Sequence, residues 1–417
     1  MKILNKIMNK LNLKRFSRGM WTAAGIQAIR VMGLSISFSY EALYLHRQRH
    51  IEMTLVGLII LISGLISGGF SVIGGALADR FGHRRIFVIF QTTETLMFAL
   101  LAALIGINAH IGFIFVAAFL VSMAGGMAAP AISAMVTDAA QNKNLAESYG
   151  LMAIGSNLGW AIGPLTGGLL LAHYSYAWVF GAGAVVTALS LFGTPYLPRG
   201  GTGKHTALIS KSTLKSFLAD STMITFCLLC MLFFFEMSQW GPTLSVFSVD
   251  HIGFKPEEYG LLMSISGVMI IVFQYPISRQ IGRLGSRISL FLGSVLYGLG
   301  FLSFTWVKAF LPAVGSIAIL VAGEMLFVPT SNSAIAKMSK PEDIGKNMGI
   351  LSLCATLGSS CGPLLGGFLL DRFPNKPLFV WGPIAVPVFA AAVGFLLWRG
   401  YSRTEVKRDE IEEDEIG

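Results

Sequence analysis

Charge is what this sequence has least of. Asp, Glu, Lys and Arg make up 13% of its 417 residues, against roughly 25% in soluble domains. Hydrophobic residues make up 54% and the mean hydropathy is +0.67, so a soluble globular class is excluded. Cysteine is nearly absent as well. The four cysteines fall within apolar stretches, and Cys227 and Cys230 spell C-L-L-C with no second ligand pair nearby. That spacing is far from what a zinc site or a disulfide framework requires, so the four read as small packing residues and no metal site is expected. Neither H-E-x-x-H nor G-x-x-x-x-G-K-[ST] occurs, which argues against a metalloprotease and against energy taken from a nucleotide. No enzyme and no bound cofactor are expected.

What remains is oil and glycine. A helix needs about 20 apolar residues to cross a bilayer, and twelve such stretches can be drawn: 20–44, 54–78, 86–105, 111–135, 148–172, 177–197, 222–247, 259–279, 288–307, 312–335, 347–371 and 377–398. The fold class expected is an all-α membrane protein. The first span is followed by no small-residue cleavage site and reads as a retained helix, not a signal peptide. Of the 31 Lys and Arg, 24 fall in the N-terminal segment, alternate loops, central linker and tail. Six fall in the opposite loops, and Arg30 lies inside a span. The positive-inside rule then puts both termini in the cytoplasm of a cell inner or plasma membrane. The net charge of +9 is thereby a topology signal, and no nucleic-acid partner is called for.

The chain repeats itself. Shifted by 199 positions, residues 150–170 fall on 349–369 with nine of 21 positions identical, and Pro130 falls on Pro329. The longest polar stretch, 198–220, divides the chain six spans from six. The expected domains are an N-terminal six-helix bundle (1–197), a cytoplasmic linker (198–220), a C-terminal six-helix bundle (221–398) and an acidic cytoplasmic tail (399–417) that reads as a solvated end. Parallel repeats of two six-helix halves are a transporter plan with the substrate site near the midplane.

Two motifs carry a resemblance to a family. G-G-A-L-A-D-R-F-G-H-R-R (74–85) contains Gly75, Asp79, Arg80, Gly82, Arg84 and Arg85 in the pattern G-x-x-x-D-R-x-G-x-R-R. This resembles the loop between helices 2 and 3 of the major facilitator superfamily. Gly155, Gly159, Gly163, Pro164, Gly167 and Gly168 in the fifth span resemble the G-P-x-x-G-G motif of that superfamily's drug/proton antiporters. The resemblance implies that Asp79 faces the N-terminus of helix 11, pairs with the motif arginines and acts as a conformational latch, with Glu342 and Asp343 as further partners for Arg80 or Arg84. In the second half, R-L-G-S-R (283–287) aligns Arg283 with Arg80 and Arg287 with Arg84, while Gly282 replaces the aspartate. The glycines by themselves read as close-contact faces and the proline as a bend.

Ionisable residues inside spans are costly and are functional candidates by default. There are five: Arg30, Glu41, Glu94, Glu236 and Glu324. Arg30, Ser37, Glu41 and Tyr44 share one face at 3.6 residues per turn, as a cavity-lining helix should. Arg30 and Glu41 lie about 16 Å apart along the axis, so each needs a partner elsewhere. Glu94 has Thr92, Thr93 or a neighbouring helix as hydrogen-bonding options, and Glu41 has solvent. Asp138 reads as cytoplasmic. Glu324 stands in V-A-G-E-M-L-F-V-P, where desolvation disfavours the charged carboxylate and allows proton exchange. Glu236 stands beside three phenylalanines and shares a face with Gln239 and Trp240, a setting that suits a lipophilic cation.

The expected function is a secondary active transporter working by alternating access. Proton antiport would drive export of amphipathic, cationic small molecules (multidrug efflux), with the proton gradient as energy source and sodium as the other possible coupling ion. The alternatives are a transporter of one specific solute, such as a sugar, peptide or lipid, or a non-transporting membrane receptor. The sparse polar set (Asn157, Gln239, Gln274, Asn332) and the 18 Met and 30 Phe lean toward a tolerant pocket. One departure stands out: 119–126, F-L-V-S-M-A-G-G, lacks the helix-4 arginine found in many proton-coupled members, and Arg30 is its possible stand-in. The expected partners are a small-molecule substrate, protons and the lipid bilayer, and the expected oligomeric state is the monomer.

Overall fold

The computed structural model describes residues 17–140, 145–197, 220–339 and 343–398, and among them every regular element is helical. In lipid each backbone N–H and C=O must be satisfied within its own segment, which long apolar runs achieve as helices. The principal ones are α1 (Arg18–Leu43), α2 (Met53–Phe81), α3 (His83–Gly106), α4 (Ile111–Ala140), α5 (Leu145–His173), α6 (Tyr176–Leu189), α7 (Ser221–Met237), α8 (Pro256–Leu284), α9 (Ser286–Ser303), α10 (Phe310–Met338), α11 (Ile344–Arg372) and α12 (Pro377–Leu397). The expected linker and tail lie outside the described residues, apart from Asp220. Asp220 caps α7 by accepting from the backbone N–H groups of Thr222 and Met223.

Ten of the twelve are long and apolar enough to cross a membrane, counting α7 through Ile252. The twelve helices expected from the sequence are all present among the described residues. The exceptions, α1 and α5, run 26 and 29 residues, so length is not the shortfall. Their polar residues meet each other: Gln27 Nε2 donates to Ser156 Oγ at 3.1 Å, and Ser35 Oγ donates to the Gly159 carbonyl at 3.1 Å. Polarity that would be costly against lipid is satisfied between two helices.

The described helices form two compact units. One comprises the described residues of 1–39 and 66–208, the other those of 40–65 and 209–417. Within the first, one core cluster is mostly small and aliphatic: Ala23, Ile26, Ala78, Ala128, Ala131 and Ile132 are buried around a single aromatic ring, Phe87. Within the second, the core is aromatic. Phe233 stacks on Phe327 with centroids 3.6 Å apart, and Trp381 stacks on Phe301 at 5.4 Å. The last turn of α1 and the first half of α2 belong to this second unit, where Tyr40 Oη donates to the Pro256 carbonyl at 3.2 Å and Asp371 accepts from the backbone N–H groups of Met53 and Thr54.

Glycine makes two matching joints. Gly82 between α2 and α3 has φ 93°, and Gly285 between α8 and α9 has φ 76°, a region that residues with a Cβ rarely adopt. In contrast to these clean joints, α7 is broken. After Met237 it tightens into a 3₁₀ turn (Ser238–Trp240), resumes over Pro242–Val246 and widens into a π turn (Phe247–Ile252). Pro242 has no N–H to give the preceding turn, which accounts for the interruption of the span expected over 222–247.

Candidate functional site

The first unit buries one ion pair deep within its helices. Arg30 on α1 is 7% exposed and Glu94 on α3 is 2% exposed. The Arg30 Nη2 reaches Glu94 Oε1 at 3.1 Å, its Nε donates to Gln91 Oε1 at 2.8 Å, and its Nη2 also donates to the Gly125 carbonyl on α4 at 3.3 Å. Glu94 is thus paired with a cation, not hydrogen-bonded to Thr92 or Thr93, and Thr93 instead donates to its own helix at the Ile89 carbonyl. The long arginine stem explains the reach, and a planar guanidinium can serve two acceptors on two helices at once. Arg30 also touches the stretch of α4 that lacks an arginine of its own.

The second unit buries an acid with no counter-ion. Glu236 on α7 is fully buried, and neither carboxylate oxygen has a hydrogen-bond partner among the described residues. The next turn carries Gln239, also fully buried, whose Oε1 accepts from Thr243 Oγ1 at 2.5 Å while its Nε2 stays unpaired. Trp240 donates its indole N–H to the Tyr297 hydroxyl on α9, and its carbonyl accepts from Tyr259 Oη at 2.6 Å. The Tyr297 ring lies 4.6 Å from that of Phe233, centroid to centroid. Glu324 on α10 follows Gly323, whose missing side chain lets α10 approach the backbone of Tyr297. Glu236, one turn before Trp240, and Glu324, next to Gly323, thus stand on segments that both meet Tyr297 of α9. An aromatic lining that contains carboxylates offers a cation both charge pairing and a π face.

Ser37 and Tyr44 are buried on the same helical face as Arg30, but Glu41 is half-buried and makes no hydrogen bond or ion pair among the described residues. Tyr44 falls in the second unit with a charged cluster in which Asp250 accepts from Arg47 Nε at 2.8 Å and faces His46 Nε2 at 3.6 Å. An open cavity of about 430 Å³ is lined there by His46, Arg47, His50, Glu52, Asp250 and Asp371.

The motif loop departs from what the resemblance implied. Asp79 does not pair with the motif arginines. Its Oδ1 lies 3.5 Å from Nε2 of His83, whose Nδ1 lies 2.6 Å from Asp138 Oδ2 on α4. Arg80 and Arg85 are exposed and Arg84 is half-buried. None of the three forms an ion pair among the described residues, and Arg80 rests its guanidinium over the Phe81 ring at 5.1 Å. Solvated arginines on a loop are cheap to leave unpaired, while a buried carboxylate edge requires a donor. Gly75 has Pro130 on α4 as its neighbour. Of the further partners named for the arginines, Glu342 lies outside the described residues.

The fifth-span glycines are close-contact positions. A side chain at Gly155, Gly159 or Gly163 would run into the backbone of α1 at Ala24, Ala28 and Met32. Gly167, Gly168 and Pro164 are buried, and α5 continues through Pro164. The repeat does the same in α11, where Gly358, Gly362 and Gly366 face Met231, Phe235 and Thr243 of the broken seventh span. The only G-x-S-x-G stretch, G-S-S-C-G (358–362), lies inside this continuous helix with Ser360 Oγ donating to the Thr356 carbonyl at 2.7 Å, and so forms no hydrolase elbow.

Sequence reasoning missed Gln91, Tyr297 and His83, and named Asp138 without its partner. The shift that matches the two loop motifs, Gly82 onto Gly285, does carry a signal for one of them, because it lays Glu94 on Tyr297.

Known proteins agree with this architecture. The model of the Major Facilitator Superfamily matches residues 23–251 and 241–415. Multidrug resistance protein 2 of Bacillus subtilis (strain 168) is 23% identical over 81% of this chain and 85% of its own length. Quinolone resistance protein NorA of Staphylococcus aureus (strain Mu50 / ATCC 700699) is 21% identical over 85% of this chain and 90% of its own. Among solved structures, a POT family transporter in complex with a thioalcohol-conjugated peptide superposes with a TM-score of 0.76 at 17% identity, covering 91% of this chain and 96% of that one. The nucleoside transporter NupG superposes with a TM-score of 0.74 at 14% identity, covering 93% of this chain and 99% of that one. With matching loop motif, repeat, helix order and fold, the chain belongs to the Major Facilitator Superfamily as a multi-pass membrane transporter.

Proposed function

We propose that the chain is a proton-coupled antiporter that exports amphipathic cations by alternating access. Its two six-helix halves would sit in a cell inner or plasma membrane with both termini cytoplasmic, and it would act as a monomer. The observation that carries the proposal is Glu236, fully buried and without a hydrogen-bond partner on either oxygen among the described residues. A bare carboxylate is too costly in such a place. Two states relieve the cost: a proton on the carboxyl group, or a cation held against it by the surrounding aromatic rings. These states exclude one another, and mutual exclusion at one carboxylate is sufficient for antiport, because each ligand must leave before the other binds. Glu324 and Tyr297 extend the site, and the names of several relatives, which refer to multidrug and quinolone resistance, support drugs as the substrate class, while the buried carboxylate favours cationic ones.

The test is proton movement in everted vesicles energised to an acidic interior, on addition of ethidium. Substrate-induced alkalinisation is expected in the wild type and is expected to vanish in Glu236→Gln and Glu324→Gln. Silence of the wild type toward every cation, with a normal proton gradient, would overturn the multidrug reading in favour of a specific solute. Ethidium transport that needs a sodium gradient and moves no protons would change the coupling ion and leave the carboxylate site in place.

A further inference from the structure

We propose that Cys227 on α7 and Cys354 on α11 form a facing dithiol, and that a hydroperoxide dissolved in the bilayer closes it to a disulfide that staples the two helices together. The pair is made by helix packing and by the internal repeat. It is not the C-L-L-C pair of the sequence.

The register of α7 on α11 places the two thiols. A side chain added at Gly358 would meet the Met231 backbone, one at Gly362 the Phe235 carbonyl, and one at Gly366 the Gln239 side chain. Each of these pairs lies 127 residues apart, and both members advance by four. Residues four apart share a helical face, so the two helices run parallel and in step. Ser359 Oγ donates to the Phe234 carbonyl at 3.3 Å in the same strip. One turn before Gly358 and Met231, this register pairs Cys354 with Cys227.

The first unit shows how close that place is. There α5 packs on α1 with the same spacing, and side chains at Gly155, Gly159 and Gly163 would meet the backbone N atoms of Ala28, Met32 and Ile36. A Cβ built on Gly155 would stand 3.5 Å from that of Ala28. A disulfide needs Cβ atoms about 3.5–4.5 Å apart, so a crossing of this kind suits one. The 199-residue shift lays Ala28 on Cys227 and Gly155 on Cys354. Two small residues that meet in one half are thus both cysteine in the other. The remaining cysteines have bulky counterparts, Val31 for Cys230 and Ile162 for Cys361.

Exposure assigns the roles. Cys354 is half-buried and Cys227 is 1% exposed, so the oxidant meets Cys354 first. The hydroperoxide transfers one oxygen to the Cys354 sulfur, giving a sulfenic acid and an alcohol. The Cys227 sulfur attacks that sulfur, the S–S bond forms and water leaves. Two thiols and one hydroperoxide become one disulfide, one alcohol and one water. Glu236 follows Cys227 on the same uninterrupted helix, Ser221–Met237. The staple therefore holds the base of the segment that carries the buried acid.

The experiment treats membranes holding the full chain with cumene hydroperoxide, raised until the exposed Cys361 is half oxidised. Free thiols are capped with N-ethylmaleimide, and peptides are mapped by mass spectrometry before and after dithiothreitol. A Cys227–Cys354 link is expected as the main disulfide, released by dithiothreitol and lost in Cys227→Ala and in Cys354→Ala. The oxidised purified protein is expected to show a higher Tm than the reduced one. Gly358→Leu forces the helices apart one turn away and is expected to slow closure at least about tenfold. If that variant fails to accumulate, Gly358→Ala is read in its place. Free thiols at both positions beside an oxidised Cys361 would overturn the dithiol, because the oxidant has then reached α11. A link from Cys354 to Cys230 would overturn the register. Sulfinic acid at Cys354 beside a free Cys227 would overturn the closing step.

Discussion

The two units treat a buried acid in opposite ways. In the first, Glu94 is held by Arg30 at 3.1 Å with Gln91 and the Gly125 carbonyl completing the guanidinium's contacts. In the second, the fully buried Glu236 has no partner on either oxygen among the described residues. The internal repeat makes the contrast sharper. The loop alignment lays Glu94 on Tyr297, and the 199-residue shift lays Gly125 on Glu324. Matching places in the two halves thus hold a closed ion pair in one and an open acidic, aromatic site in the other. Desolvation costs both acids alike. In the first unit the cost is offset by a resident cation, which makes the pair part of the fold. In the second no resident cation offsets it among the described residues, and the proposed proton and cation site rests on that difference.

The same substitution in each unit tests this contrast most strongly. Glu94→Leu strands the Arg30 guanidinium and is expected to destabilise the protein by about 3–5 kcal/mol, read as a lowered Tm of the purified protein in detergent. Glu236→Leu removes a buried polar group that has no partner and is expected to raise stability by about 1–3 kcal/mol. Equal losses from both would erase the distinction. The glycine faces should behave alike in the two units, since both press a helix onto its neighbour. Gly163→Leu and Gly362→Leu are each expected to cost about 1–3 kcal/mol through overpacking, while Gly349→Ala, with nothing within 4 Å of its added Cβ, should be neutral or slightly stabilising. The smallest effect is expected from Tyr297→Phe. Loss of the hydroxyl that accepts from Trp240 should cost about 1 kcal/mol while changing the affinity for ethidium more than the Tm, as measured by fluorescence titration.

Some of this was legible from residues alone. The loop motif, the fifth-span glycines and the 199-residue repeat carried the family, and the scarcity of charge made each intramembrane acid conspicuous. Glu236 and Glu324 needed only their apolar neighbours to be singled out. Arg30 was visible as a charge, yet its partner was not, because Glu94 is 64 residues away and helical periodicity says which face a residue occupies without saying what faces it. His83 was overlooked for a related reason. It occupies a variable position of a motif whose arginines drew the attention, and only the packing of α2, α3 and α4 revealed that the arginines face out while the histidine faces in.

By itself, then, the sequence determined that the backbone crosses the membrane as helices, that it does so in two related halves, and which few residues bring charge into that interior. The cause is local: apolar segments in lipid must satisfy their own hydrogen bonds, and helices are the way a single segment does so. The tertiary structure decided which charges are neutralised. Pairing depends on how closely helices approach and how each is rotated about its axis. The glycine faces of α5 and α11 set that approach, and the partners lie far apart in the chain. That is why Glu94 sits in a closed ion pair and Glu236 has no counter-ion among the described residues, although each is a single acid within its span.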